Sequence, residues 1–390
     1  MRIAVVELEE HPECLYSFCK IFTDTREEVV TIYCNQKVFR ELKGEVFLSR
    51  FEWIVKPDEV SIHEFLQTQK DSIDSHDVLI FNTVQKNFLA YCGHEFKPKT
   101  ILRIHNVHTF FKRWGNMQLQ FTPYFLWKDF SYIVRVLILQ RDWNRMDSLV
   151  KEVDYVTFPD ETIEGYALDN QLVSRDKVFK SIPLGCSSNE YKKEESTEAF
   201  HITVSGAIDP RRRDYFFLAD VWEDLLKELK RPVKLTFLGK PISYYGQQVL
   251  QRFKAMENDL FHLQAFEERV PQSLFNEVMK ETDLMLAPII LHTRYKIYKE
   301  RYGYTKISGG AGDVVRYGKA AIFPSDYPFN ELLKQVVDRY DSAAHLKELL
   351  LAHIHGEVKN RTTAIQCMQQ AYTPEILQSA IVENLKKIID

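Results

Sequence analysis

Three stretches of the 390-residue chain bring together residue types whose spacing could do chemistry. In Leu102-Arg-Ile-His-Asn-Val-His108, the apolar run Ile101–Ile104 delivers His105, Asn106 and His108, with Phe110, Phe111 and Trp114 behind them. Imidazole donates or accepts a hydrogen bond near neutral pH, so His105 and His108 at a strand's carboxyl end can meet ligand hydroxyls. The plainer alternative is a turn that satisfies only its own loop. In Ser205-Gly-Ala-Ile-Asp-Pro-Arg-Arg-Arg-Asp-Tyr215, a strand ends at Gly206, and Arg211, Arg212 and Arg213 precede a helix expected over 215–230. Glycine permits close approach, and cations at a helix start favour a diphosphate; a solvated charge cluster is the alternative. In the third stretch, 302–324, Gly303, Gly309, Gly310 and Gly312 surround Lys306 and Ser308. A helix should begin between Ser308 and Gly312, carry Asp313 and close at Gly318, a C′ glycine, before a strand over 319–324. A glycine-rich helix start beside a lysine is an anion site.

Other chemistries lack their signatures. Leu8-Glu9-Glu10-His11-Pro12 stands where a dinucleotide fold needs its glycine turn, so NAD is disfavoured. There is no P-loop and no Asp-x-Asp pair. The six cysteines, at 14, 19, 34, 92, 186 and 367, form no Cys-x-x-Cys, so no structural zinc and no bound metal is expected. Lys+Arg 51 against Asp+Glu 55 gives a net charge of −4, which argues against nucleic acid as a partner. No stretch of about 20 residues is free of charge, so no membrane span is expected. The N-terminus reads as a first strand, and a cytoplasmic protein is expected.

Two series of apolar strands must position these residues. One comprises 3–8, 29–34, 51–55, 78–81, 101–104 and 155–158; the other comprises 201–204, 233–238, 261–264, 284–287 and 320–323. Continuous apolar strands alternating with helices belong to parallel sheets covered on both faces. The expected division is an N-terminal domain over 1–186, a C-terminal domain over 187–372 and a terminal helix over 373–390. That helix could pack on either domain. The polar stretch 187–197 suits a linker.

The second series resembles the donor-binding domain of GT-B glycosyltransferases, most closely the retaining family-4-like group. Ile182-Pro-Leu-Gly185 resembles the interdomain turn, and Ser205–Asp209 with Arg211–Tyr215 resembles the diphosphate-binding segment. Thr236-Phe-Leu-Gly239, Val270–Phe275 and Thr282-Asp-Leu-Met-Leu-Ala-Pro288 follow in the family's order. The resemblance implies an α/β chain of two Rossmann-like domains facing each other across a cleft. It implies metal-independent, retaining transfer of a sugar from a UDP- or GDP-linked donor to a glycan or lipid-linked acceptor, with no further cofactor. Arg213 takes the place of the diphosphate-binding lysine, with Lys306, His105 and His108 as its catalytic company. Gly206, Arg211, Arg212, Gly239, Thr305, Ser308, Gly309, Gly310 and Asp313 fall at donor-binding positions. Asp313 stands for the family's second glutamate. The first falls at Thr305, which cannot ionise, so a non-catalytic partner subunit is an alternative, as is a sugar-nucleotide 2-epimerase.

One segment bears on the acceptor. Residues 124–143, YFLWKDFSYIVRVLILQRDW, read as an apolar helix with a narrow polar stripe of Lys128, Arg135 and Asp142. Either it packs between neighbouring elements, or it lies on the inner face of a membrane as a peripheral contact.

Overall fold

A computed structural model describes residues 1–9, 11–23, 28–119, 123–134, 138, 142–188 and 199–390. All of the linker stretch except Ser187 and Ser188 lies outside them. The first series forms β1 (Arg2–Glu7), β2 (Val29–Asn35), β3 (Glu52–Lys56), β4 (Val78–Phe81), β5 (Lys99–Arg103) and β6 (Tyr155–Thr157). These make one six-stranded sheet in the order β3-β2-β1-β4-β5-β6, and every pairing is parallel.

The second series begins with β7 (Phe200–Ser205), β8 (Val233–Leu238), β9 (Phe261–Ala265) and β10 (Leu284–Leu286). An antiparallel hairpin follows, β11 (His292–Tyr295) with β12 (Tyr298–Arg301), which was not expected. Then come β13 (Ala320–Pro324) and β14 (Val337–Tyr340), the second also unexpected. Leaving the hairpin aside, the order β14-β13-β10-β7-β8-β9 repeats the first sheet's winding.

Side chains explain why both sheets are buried on two faces. Ile3 and Val5 enter one core while Ala4 and Val6 enter another, as the two-residue period of a strand dictates. Leu284, Leu286 and Ile322 likewise part from Met285, Ala287 and Phe323. Strand order reverses between β1 and β4 and between β7 and β10. Each reversal opens a crevice at the carboxyl ends of the strands, the place where open α/β sheets take ligands.

The terminal helix Pro374–Ile389 packs on the first sheet, not the second. Its Ile381, Val382 and Leu385 join Ile3, Val5, Leu15 and Phe18 in one core. The chain therefore crosses between the halves twice, and the crossings touch: the Ser187 amide donates to the Tyr372 carbonyl at 2.8 Å. Fully buried Arg103 secures the first crossing, its Nη2 donating to the Ile182 and Pro183 carbonyls at 2.6 and 2.7 Å. Leu385→Ala should leave a cavity in the first half's core and cost about 2–5 kcal/mol, read as a lowered Tm by calorimetry.

Candidate functional site

The wall of the cleft built by the second sheet starts where β7 ends. Gly206 turns the chain there with φ +93°, a conformation side chains rarely adopt. A Cβ on Gly239 would lie 2.4 Å from the Gly206 carbonyl carbon, so Gly239 makes room for this turn. Gly239 is thereby needed to let the Gly206 turn pack. Arg213 tucks beneath the turn: its Nη2 lies 2.9 Å from where a Gly206 Cβ would stand. Only 7% of Arg213 is exposed, and its buried Nε has no hydrogen-bond partner among the described residues. Asp209 accepts from Arg211 Nε at 2.9 Å and from Nη2 at 2.6 Å, which fixes the first arginine of the triplet. Arg212 lies farther from that carboxylate, at 3.8 Å, with 55% of its side chain exposed toward the cleft it lines.

The glycine-rich stretch adds the second component. The helix spans Gly309–Tyr317, begins after Ser308 without a side-chain cap, and ends at Gly318 with φ +59°. Its first amides are left without intrahelical acceptors, and Gly309 has open space where a side chain would be. Ser205 Oγ donates to Asp313 Oδ2 at 2.8 Å. Burial raises Asp313 above the usual carboxylate range, and Arg316 opposes that rise. Arg212, Arg213, Gly309, Gly310 and Asp313 line a cavity of about 250 Å³, whose lining also includes Glu13 of the first half. Ser308 contributes to the same lining.

Lys306 lines a larger cavity of about 970 Å³ with Arg211, Arg212, Tyr302 and Arg294, and Arg212 and Tyr302 line both cavities. The Lys306 ammonium sits 5.0 Å from the Tyr295 ring and 5.9 Å from that of Tyr302. Burial and the nearby Arg212 pull Lys306 down to about 8, while Glu300 opposes them. Glu300, missed in the sequence, is buried and lifted by that burial to about 7. Its carboxylate accepts from the Thr109 amide at 3.2 Å and the Thr109 hydroxyl at 3.3 Å.

Thr305 also departs from expectation. It is fully buried, its hydroxyl accepts from the Arg301 amide at 2.7 Å and its side chain bonds Glu300. Packing against its own loop keeps it from a donor.

The β11–β12 hairpin belongs in sequence to the second half but packs on the first. The Val107 amide donates to the Thr305 carbonyl at 2.8 Å and the Gln118 amide to the Ile297 carbonyl at 2.7 Å. Arg294 Nη1 donates to buried Asp129 at 2.6 Å, and Lys296 Nζ to the Gln85 carbonyl at 2.9 Å. This explains His108: Nδ1 meets the Lys299 carbonyl at 2.8 Å and Nε2 meets the Tyr166 hydroxyl at 3.0 Å. Both ring nitrogens are engaged by protein, so His108 ties the hairpin down and has no nitrogen left for a sugar. His105 donates from Nε2 to the Asn82 carbonyl at 2.9 Å. Burial, with Arg103 nearby, drops its pKa to about 3, so the ring stays neutral.

The first sheet's own crevice holds groups the sequence did not single out. His11 Nδ1 lies 3.2 Å from Glu13 Oε1. Among the described residues, His11, Glu13 and Cys14 form the cluster compact enough to hold a metal, with ligand atoms within 4.8 Å of one another.

Of the expected 124–143 helix, the described residues show α-helix over Pro123–Tyr132 and again from Asp142, while Arg135 lies outside the described residues. On the first, Trp127 is 70% and Phe130 57% exposed while Asp129 is buried, so this helix turns an apolar face outward instead of packing it between neighbours. No helix among the described residues is long and apolar enough to cross a membrane.

No family model matches the chain, and no curated protein matches its sequence. Similar solved structures include the lipopolysaccharide outer core galactosyltransferase WaaB in its apo form, with 11% identity over all of both chains and TM-score 0.59. Anabaena HepE in complex with UDP-glucose aligns at 12% identity over 99% of this chain and 100% of that one, TM-score 0.61. A Listeria monocytogenes putative UDP-N-acetylglucosamine 2-epimerase aligns at 10% identity over 100% and 96%, TM-score 0.53. At such identities the likeness carries architecture alone, and two parallel-sheet α/β domains in the same winding order agree with it. The chain has the GT-B fold of glycosyltransferases.

Proposed function

We propose that the protein transfers a sugar from a nucleoside-diphosphate sugar, UDP- or GDP-linked, to an acceptor hydroxyl during synthesis of a polysaccharide or glycoconjugate. One observation carries this: Arg212, Arg213, Lys306 and the first amides of helix Gly309–Tyr317 converge on adjoining cavities at the second sheet's crevice. Cations and oriented amides in a partly desolvated cleft stabilise negative charge as it develops on a departing diphosphate. The UDP-glucose bound in HepE supports a donor of this class.

Under this reading the donor wall comprises Gly206, Arg211, Arg212, Ser308, Gly309, Gly310 and Asp313, within a donor domain over 187–372, and the acceptor enters against the domain over 1–186. The exposed face of Leu126, Trp127 and Phe130 borders the 970 Å³ cavity and suits an acceptor with a lipid portion, taken up at a membrane surface. The residues described supply the transfer's charge stabilisation without a bound ion.

Calorimetry with UDP, GDP and their sugars tests the assignment; absence of binding to all of them would overturn it. Arg213→Ala should weaken nucleotide binding about ten- to a hundredfold, the loss of a charge-assisted contact. Its circular dichroism should stay native. Because the Lys306 ammonium discharges near pH 8, affinity should fall as pH rises through that value, and Lys306→Arg should flatten the dependence. Flotation with anionic vesicles should recover the wild type, and Trp127→Ser with Phe130→Ser should leave the protein unbound.

A further inference from the structure

A separate cavity of about 860 Å³ lies at the carboxyl ends of β1, β2 and β3, where Leu8, Asn35 and Lys56 line it. None of its lining residues lines either of the cavities described above. Val60, Ile62 and Leu89 give it apolar walls, while Lys37, Lys56 and Lys86 bring three cations against one carboxylate, Asp58. That carboxylate lies 3.8 Å from Arg40, and 71% of its side chain is exposed. Lys86, 44% exposed, stands 3.8 Å from buried Glu9.

Lys56, the last residue of β3, is the unusual member. Only 8% of it is exposed, yet no carboxylate among the described residues pairs with its ammonium. Its Nζ donates to the Pro57 carbonyl at 2.7 Å and the Val60 carbonyl at 2.6 Å, both ahead of helix Ile62–Thr68. An ammonium has three protons, and among the described residues the third meets no acceptor. Taking a cation out of water is unfavourable unless a counter-charge meets it, and neutral carbonyls supply only part of that. The surroundings are built as well. Asn35 Nδ2 donates to the Leu8 and Glu9 carbonyls at 3.1 and 2.6 Å, which ties the end of β2 to that of β1.

We propose that this cavity binds an organic phosphate monoester with an apolar body. The phosphate accepts the third proton of Lys56, and the apolar part lies against Val60, Ile62 and Leu89. A dianion suits three lysines around one cavity, where a carboxylate would leave charge unmet. An ammonium already held by two carbonyls loses little freedom on binding, so its charge-assisted bond is used efficiently. The site goes beyond sugar transfer and does not depend on it. Gln85, Lys86 and Asn87 form the wall toward the transfer cleft. Lys296 Nζ donates to the Gln85 carbonyl at 2.9 Å and the Tyr295 hydroxyl meets the Gln85 side chain, both from the lining of the 970 Å³ cavity. Lys86 and Asn87 line the new one.

Calorimetry on the full chain with octyl phosphate tests the site, with inorganic phosphate and octanol as the two halves of the probe. Octyl phosphate should bind at least about tenfold more tightly than either half. Lys56→Met keeps the side chain's length without its charge and should weaken octyl phosphate by about tenfold or more. Lys37→Gln, at an exposed position, should weaken it about two- to fivefold with Tm unchanged, and carries the test if Lys56→Met does not fold. Lys306→Gln should leave octyl phosphate binding as it is, because that lysine belongs to the other cavity. Flotation with phosphatidate vesicles separates two sources of the ligand. Recovery lost in Lys56→Met makes it a membrane lipid; recovery kept makes it a soluble phosphate. Octanol binding as tightly as octyl phosphate overturns the anion site, and inorganic phosphate doing so overturns the apolar body. Binding lost in Lys306→Gln but kept in Lys56→Met and Lys37→Gln moves the phosphate to the donor cleft and overturns the proposal. The transfer assignment is read from UDP and GDP instead, so the two failures are told apart.

Discussion

One buried carboxylate does much to tie the two halves together. Glu300 comes from the hairpin of the second half and accepts hydrogen bonds from Thr109 of the first. A carboxylate out of water costs several kcal/mol unless its oxygens are met, so its partners are not interchangeable. Because Thr305 and Lys306 follow within the same loop, satisfying Glu300 also places Lys306 in the lining of the larger cavity. Desolvation then acts on the pair in opposite directions, raising the acid and lowering the base, while each restrains the shift of the other. The cleft's charge is thus set by a contact between halves and belongs to neither half alone.

The two crevices divide their chemistry by sign. The second sheet offers guanidinium groups, an ammonium and helix-start amides at the ends of β7 and β10. The first offers carboxylates and imidazole beyond β1, with Glu7 lifted by burial to about 8 and held by Asn82 at 2.7 Å. Asn82 in turn accepts from Arg103 at 3.0 Å, the residue that grips the crossing at Ile182 and Pro183. A run of hydrogen bonds therefore leads from the acidic crevice to the point where the chain changes halves.

Much of this frame was legible in the residues. All eleven expected strands are present, because fully buried parallel strands announce themselves as unbroken apolar runs. Gly318 was readable as a helix stop because only a small residue sits easily at φ +59°. The hairpin was not legible: its loop is Lys296-Ile297, and Lys296 adopts φ +53° without the glycine or asparagine that usually marks such a turn. Missing the hairpin meant missing the partners that engage His108 and Thr305, since both are bound from residues distant in sequence or hidden by the loop's own fold. His11 and Glu13 escaped notice for the opposite reason. Two residues apart in a short acidic stretch, they match no motif, and only the winding of the sheet brings them to a crevice.

The terminal helix has a bearing on how the protein is made. Its Leu385 and Val382 fill a core whose other members include Ile3 and Val5, at the far end of the chain. The half synthesised first cannot close that core until helix Pro374–Ile389 has left the ribosome. Until then an apolar face of the first sheet stays uncovered while the second half emerges, a state in which nascent chains are prone to associate. Chaperone demand during synthesis, more than the stability of the finished protein, is where shortening the chain by those residues would be felt first.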